Sequence, residues 1–237
     1  MTVRVAALGD LHCRKTSAGQ LAPILAQVNG AADVLLLCGD LADHGLEDEA
    51  RVLAKELAAV RIPMIGVLGN HDYQSNADAA VTRVLVDAGV QLLDGDAVEV
   101  LGIGFAGAKG FIGGFGRGTL GPWGEAAIKA LVQEALEESM KLESALSRLR
   151  TDRRVAVMHY APIRETCMGE PMEIYPYLGC GRLEEPLHRF PVDAVFHGHA
   201  HHGAPEGKTA NGIPVYNVAL PLLRRLHAEA PFRVVEI

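Results

Sequence analysis

Five short polar clusters carry the residues able to do chemistry in this 237-residue chain: Asp10-x-His12, Gly39-Asp40-x-x-Asp43, Gly69-Asn70-His71-Asp72, His159 and Gly198-His199-x-His201. Two Asp, one Asn and four His drawn from them offer hard oxygens and imidazole nitrogens, and no thiolate. That mixture suits Mn, Fe(II) or Zn better than Mg or Ca. Seven such groups exceed what one tetrahedral ion takes. They suffice for two ions that share a carboxylate, with positions left over for water and substrate. The residue types therefore predict a binuclear metal site.

Each cluster follows directly on a short apolar run, which reads as a buried strand. The polar residues then fall in loops at strand ends, where open α/β sheets place their sites. Singly, most of them have a duller explanation: an Asp after a strand is often a turn former or helix cap, and a His near a sheet is often a hydrogen-bonded core group. It is the joint order, one metal-type group after another at a strand exit, that favours a site.

In order and residue type the clusters resemble the calcineurin-like metallophosphoesterase superfamily. Its pattern D-x-H, G-D-x-x-D, G-N-H-[DE], H, G-H-x-H is matched without substitution from Asp10 to His201. The resemblance implies that Asp10, His12 and His201 hold one metal, that Asn70, His159 and His199 hold the other, and that Asp40 bridges them. It also implies that His71 faces the phosphate or its leaving oxygen, with Asp72 placed to orient the His71 ring. Asp43 reads as an outer hydrogen-bond partner of the metal-bound groups.

The implied activity is two-metal hydrolysis of a phosphate ester, a metal-bridging hydroxide attacking phosphorus in line while His71 assists the leaving group. Small phosphodiesters, such as cyclic nucleotides and nucleotide-type pyrophosphates, are slightly favoured. The alternatives are a phosphomonoesterase or protein phosphatase, a nuclease, and a non-catalytic metal-binding scaffold on the same fold.

The elements that must position these groups follow from the apolar pattern. Strands are expected at residues 3–8, 34–37 and 64–68, alternating with helices near 21–28, 47–59 and 77–88. A second sheet or hairpin begins at 98–101 and 103–106, and later strands fall at 155–158, 194–196, 215–219 and 232–235. This matches the α/β fold that the resemblance implies: two packed β-sheets flanked by helices in a four-layer αββα sandwich, as a single domain over residues 1–237.

Residues 109–124 hold seven glycines and precede a long amphipathic stretch at 125–150. The expectation is a mobile loop and a long helix that either packs on a sheet or serves as a lid or docking element beside the pocket. Tyr175, Tyr177 and Arg182 are placed either to contact substrate or to close loops. His44, His188, His197, His202 and His227 match no required position, although His197 and His202 flank the last cluster and could support it from outside.

Composition bounds the reading. With 49% hydrophobic against 22% charged residues there is ample material for one core. No signal-peptide h-region and no membrane-length apolar run is found, and Cys13, Cys38, Cys167 and Cys180 form no C-x-x-C pair, so a soluble, reducing, cytoplasmic setting is expected. The balance of 29 acidic to 22 basic residues disfavours long nucleic acid as a partner, although two divalent ions would make the pocket itself attractive to a small phosphate ester. Oligomeric state leaves no mark on the sequence.

Overall fold

The computed structural model describes residues 2–237. The apolar runs become strands β1 (Arg4–Leu8), β2 (Val34–Cys38), β3 (Met64–Val67), β4 (Val90–Leu92), β5 (Asp96–Val100), β6 (Ile103–Gly107), β7 (Arg153–Val157), β8 (Ala194–His197), β9 (Glu206–Lys208), β10 (Pro214–Asn217) and β11 (Arg233–Glu236). The helices are α1 (Ala22–Ala31), α2 (Glu47–Leu57), α3 (Asn70–Tyr73), α4 (Asp78–Asp87), α5 (Ala126–Arg148), α6 (Tyr175–Leu178), α7 (Glu184–Arg189) and α8 (Leu220–Leu226).

The strands form two sheets, one of five in the order β11-β1-β2-β3-β4 and one of six in the order β5-β6-β7-β8-β10-β9. Within each sheet the central strands run parallel, and the antiparallel ones, β11, β5 and β9, lie at the edges. Parallel strands buried on both faces need continuous apolar sequence, and every residue of β2 and β3 is buried. Alternation sorts the six-stranded sheet. Phe105, Val155, Val157 and Phe196 face the first sheet, while Ala106, Ala156 and Val195 face α5 and α7 through Leu142, Ala145, Leu146 and Leu187. With α1, α2 and α4 covering the other side, the layers are helix, sheet, sheet, helix. Emptying one inter-sheet position, as in Phe105→Ala, costs ~3–5 kcal/mol in a core of this kind.

The sequence reading overlooks β4 and β9. Val90–Leu92 is a three-residue edge, and Glu206–Lys208 is Glu-Gly-Lys, with no apolar run to betray it. Helix α5 buries Val132, Ala135, Glu138, Ser139, Leu142, Ala145 and Leu146, so its apolar stripe packs on the six-stranded sheet. The glycine-rich segment before it is laced to the stretch after His159. Gly113 N donates to Pro176 O at 2.8 Å, Gly114 N to Gly179 O at 2.9 Å, and Gly181 N to Gly114 O at 3.0 Å.

Candidate metal centre

All five clusters converge at the carboxyl ends of β1, β2, β3, β7 and β8, on the seam between the sheets. The first two loops run side by side: Asp10 N donates to Gly39 O, His12 N to Asp40 O and Cys13 N to Leu41 O, all at 2.9–3.0 Å. This prolongs the β1–β2 pairing past the strands and holds the loops in tight turns. The strain is visible in the backbone. Of the six non-glycine residues with positive φ among the described residues, four are Asp10 (54°), His12 (42°), Asp40 (49°) and His199 (68°), which sit among the candidate ligands.

Glycines let the loops close this tightly. Gly39, at φ +79°, lies so near the His159 ring that a Cβ would collide with its Nδ1, and a Cβ on Gly198 would strike the Asp10 carboxylate.

The donor atoms gather in two groups. In one, His201 Nε2 lies 3.0 Å from Asp10 Oδ1 and 3.4 Å from His12 Nε2. In the other, His159 Nε2 lies 2.9 Å from Asn70 Oδ1, 3.1 Å from His199 Nδ1 and 3.4 Å from Asp40 Oδ1. Asp40 spans the two: its Oδ1 faces the second group, while Oδ2 lies 3.9 Å from His12 Nε2 and 4.0 Å from His71 Nε2. The Asp10/His12/His201 and Asp40/His159/His199 sets are each compact enough to hold a cation.

The protons on these rings say what the second group is built for. His159 Nδ1 points at Cys38 O at 3.0 Å, and His199 Nε2 at Tyr177 O at 3.1 Å. A carbonyl only accepts, so both of those nitrogens carry hydrogen in the neutral rings. His159 Nε2 and His199 Nδ1 then face each other as lone pairs, with Asn70 Oδ1 and the Asp40 carboxylate beside them. Four acceptors with no hydrogen among them fit a cation, and the mixed N and O donors fit a borderline divalent one. In the first group, His12 Nδ1 is buried without a hydrogen bond, its nearest carboxylate oxygen being Asp43 Oδ1 at 3.3 Å.

Electrostatics agree. Burial works against the Asp10 charge, yet the His201 hydrogen bond and the surrounding imidazoles hold its carboxyl down at about 2. Burial, aided by the facing His159, pushes His199 down to about 3, which keeps its ring neutral and free to ligate.

The pairing of Asp72 with His71 needs correction. Asp72 is wholly buried and makes no hydrogen bond to the ring: it accepts from Leu41 N at 3.1 Å, Ala42 N at 2.7 Å and Gly69 N at 2.8 Å, tying the second and third loops together. Burial raises its carboxyl to about 6 in spite of these amides. The His71 ring is held instead by the Asp43 main chain, its Nδ1 lying 2.6 Å from that carbonyl, while His71 N donates to Asp40 Oδ1 at 2.8 Å. The reason is local: His71 and Asp72 are neighbours in the single turn of α3, and their side chains diverge. Asp43 Oδ1 stands 3.3 Å from His12 Nδ1 without a hydrogen bond, while Asp43 Oδ2 accepts from Arg14 Nε at 2.8 Å and lies 3.0 Å from His44 Nδ1.

Among the other singled-out residues, Arg182 donates to Leu120 O at 2.7 Å and closes a loop. The Tyr177 ring is exposed, and it is the backbone of that residue that reaches His199. His197 is a core group, its Nε2 lying 2.8 Å from Thr166 Oγ1 and its Nδ1 2.7 Å from Gly198 O. Residue-by-residue reading misses the main-chain partners, Cys38 O, Asp43 O and Tyr177 O, because a carbonyl leaves no signature in sequence. It also misses Arg225, whose Nη1 donates to His201 O at 2.9 Å.

The two-sheet αββα sandwich with paired donor groups at the strand ends defines a class, that of the dinuclear metallophosphoesterases. The calcineurin-like phosphoesterase family model matches residues 3–203, and the chain belongs to that family. Phosphopantetheinyl hydrolase from Mycobacterium tuberculosis is similar in structure, with a TM-score of 0.70 at 18% identity over 98% of this chain and 95% of that one. Purple acid phosphatase PPD1 from yellow lupin seeds gives 0.58 at 13% identity, over 92% of this chain and 44% of that one. GAP50, the anchor in the inner membrane complex of Plasmodium, gives 0.58 at 16% identity, over 93% and 72%. At such identities the likeness is one of fold. Comparison with curated proteins gives no match. Family, fold and donor groups together support a metal-dependent phosphoester hydrolase, and no described helix is long and apolar enough to cross a membrane.

Proposed function

We propose that the chain hydrolyses small phosphodiesters with two divalent ions, Mn, Fe or Zn. Asp10, His12 and His201 would hold one ion, Asn70, His159 and His199 the other, and Asp40 both. The observation that carries this reading is the Asp40 carboxylate, whose two oxygens face different donor groups. When bound, the ions supply Lewis acidity toward phosphoryl oxygens and bring the pKa of water toward neutrality.

The protein's own part is positioning and proton handling. Asp72 fixes the loops that carry Asp40 and Asn70, through the amides of Leu41, Ala42 and Gly69. Cys38 O and Tyr177 O set the tautomers of His159 and His199 so that a nitrogen lone pair faces inward from each. His71, with its Nδ1 tied to Asp43 O, presents Nε2 to the departing oxygen and protonates it or donates a hydrogen bond. The chain forms no covalent adduct in this scheme.

The test is hydrolysis of p-nitrophenyl phosphate and bis-p-nitrophenyl phosphate by metal-stripped protein, with Mn²⁺, Fe²⁺ or Zn²⁺ added back. Metal-restored turnover with the diester ahead is expected. Preference for the monoester would move the assignment to a phosphatase, and silence on both with two ions bound would favour a binding role for the same fold.

A further inference from the structure

Glu138, a carboxylate only 1% exposed, rises from the middle of α5, on the outer face of the six-stranded sheet. A charge so deep needs partners. Its Oε1 accepts from Lys141 Nζ at 2.8 Å, one turn along the helix, and Lys141 is itself shared with Asp94. Its Oε2 accepts from Gly110 N at 2.8 Å, and among the described residues that amide has no other acceptor.

The second contact leads to the metal centre. Gly110 N belongs to the same planar peptide as Lys109 O, and Lys109 O accepts from His159 N at 3.0 Å and from Tyr160 N at 3.1 Å. In a trans peptide the N–H and the C=O point opposite ways. One rigid plate is therefore gripped by α5 along one edge and by the His159 main chain along the other. Turning the plate breaks both grips. Ahead of it, Ala108 N donates to Val157 O at 3.2 Å, so the β6–β7 pairing runs on past the strands as far as His159. The His159 ring is held separately, by Cys38 O, and its Nε2 is placed only when ring and main chain are both fixed. The first donor group hangs from other bonds: Asp10 N donates to Gly39 O, His12 N to Asp40 O and His201 N to His199 O.

We infer that Glu138 is a positioning residue for the second ion, fixing His159 through the 109–110 peptide, so that α5 braces the metal centre from outside the sandwich. The inference rests on the two-ion reading above and adds a residue to it.

Equilibrium dialysis of metal-stripped protein against rising Mn²⁺ gives the two dissociation constants without turnover. Glu138→Ala should weaken one of them about tenfold, the scale of losing an outer partner of a metal-bound histidine, and leave the other unchanged. In a His201→Ala background, where the first group is disabled, Glu138→Ala should still weaken the ion that remains. Glu138→Gln, whose side-chain oxygen can accept from Gly110 N, should restore the parent constants. Thermal melts report whether each variant folds. Where Glu138→Ala does not, Glu138→Asp, one methylene short of Gly110 N, takes its place with the same expectation. Two constants that fall together, constants that do not move, or a loss that Glu138→Gln fails to restore would overturn the proposal. Fewer than two ions on the parent protein would instead remove the reading beneath it, and the inference with it.

Discussion

The main-chain carbonyl of Asp43 stands 2.6 Å from Nδ1 of His71. Nδ1 therefore carries hydrogen in every state of the ring, and Nε2 can donate only from the imidazolium. A general acid in this position should matter most where the leaving group is poor. His71→Ala is expected to keep both metals and the fold and to lose ~10²- to 10⁴-fold in turnover of an alkyl phosphodiester. The loss should be smaller with p-nitrophenyl esters, whose phenolate needs little protonation. Equal losses on the two substrates would assign His71 to holding the phosphate instead.

Asp40 should behave differently. Because its oxygens face both donor groups and its Oδ1 also accepts His71 N, Asp40→Ala removes a shared ligand and loosens the third loop. Elemental analysis after dialysis should find well under one tightly held ion per chain, against two in the parent protein. Retention of two ions would show that Asp40 does not bridge.

For Asp72 the expected loss is one of stability before it is one of chemistry. Asp72→Ala leaves the amides of Leu41, Ala42 and Gly69 without acceptors in a buried place, at ~1–3 kcal/mol for each group that finds no water. Urea denaturation of the metal-stripped protein should show a large fall in midpoint. An unchanged midpoint with lost turnover would return Asp72 to the reacting groups.

His197 supplies a pH dependence. Burial lowers its pKa from the ordinary 6.5 to about 4, so below pH 6.5 the unfolded chain takes up a proton that the folded ring refuses. Stability from the neutral ring is whole above 6.5 and is lost as pH falls through about 4, amounting to ~3 kcal/mol in all. Urea midpoints of metal-stripped protein at pH 7.5 and pH 5 should fall less for His197→Gln than for the parent. An equal fall in both would place the acid sensitivity elsewhere.

Much of this architecture is legible in the sequence because buried parallel strands demand apolar runs, and polar clusters at their ends have few other reasons to recur. Val34–Cys38 ahead of Asp40, and Ala194–His197 ahead of His199, declare themselves in this way. Glu206–Lys208 does not, since an edge strand is held by main-chain pairing and its side chains are free to be polar. The same distinction divides the site. Side-chain donors could be named from order and type, whereas the grip on His71 by Asp43 O and on His199 by Tyr177 O belongs to the backbone. The pairing of Asp72 with His71 failed because adjacency in sequence, within one helical turn, points two side chains apart.

The donor groups draw on both sheets: Asp10, His12, Asp40 and Asn70 hang from the five-stranded one, and His159, His199 and His201 from the six-stranded one. Neither proposed ion could be held by one sheet alone. Ion binding and the docking of the two sheets are thus linked equilibria, in which each ion present above its dissociation constant would add to the free energy of assembly by mass action. A nascent chain cannot own a complete centre until its last ligand-bearing loop has emerged and closed the sandwich.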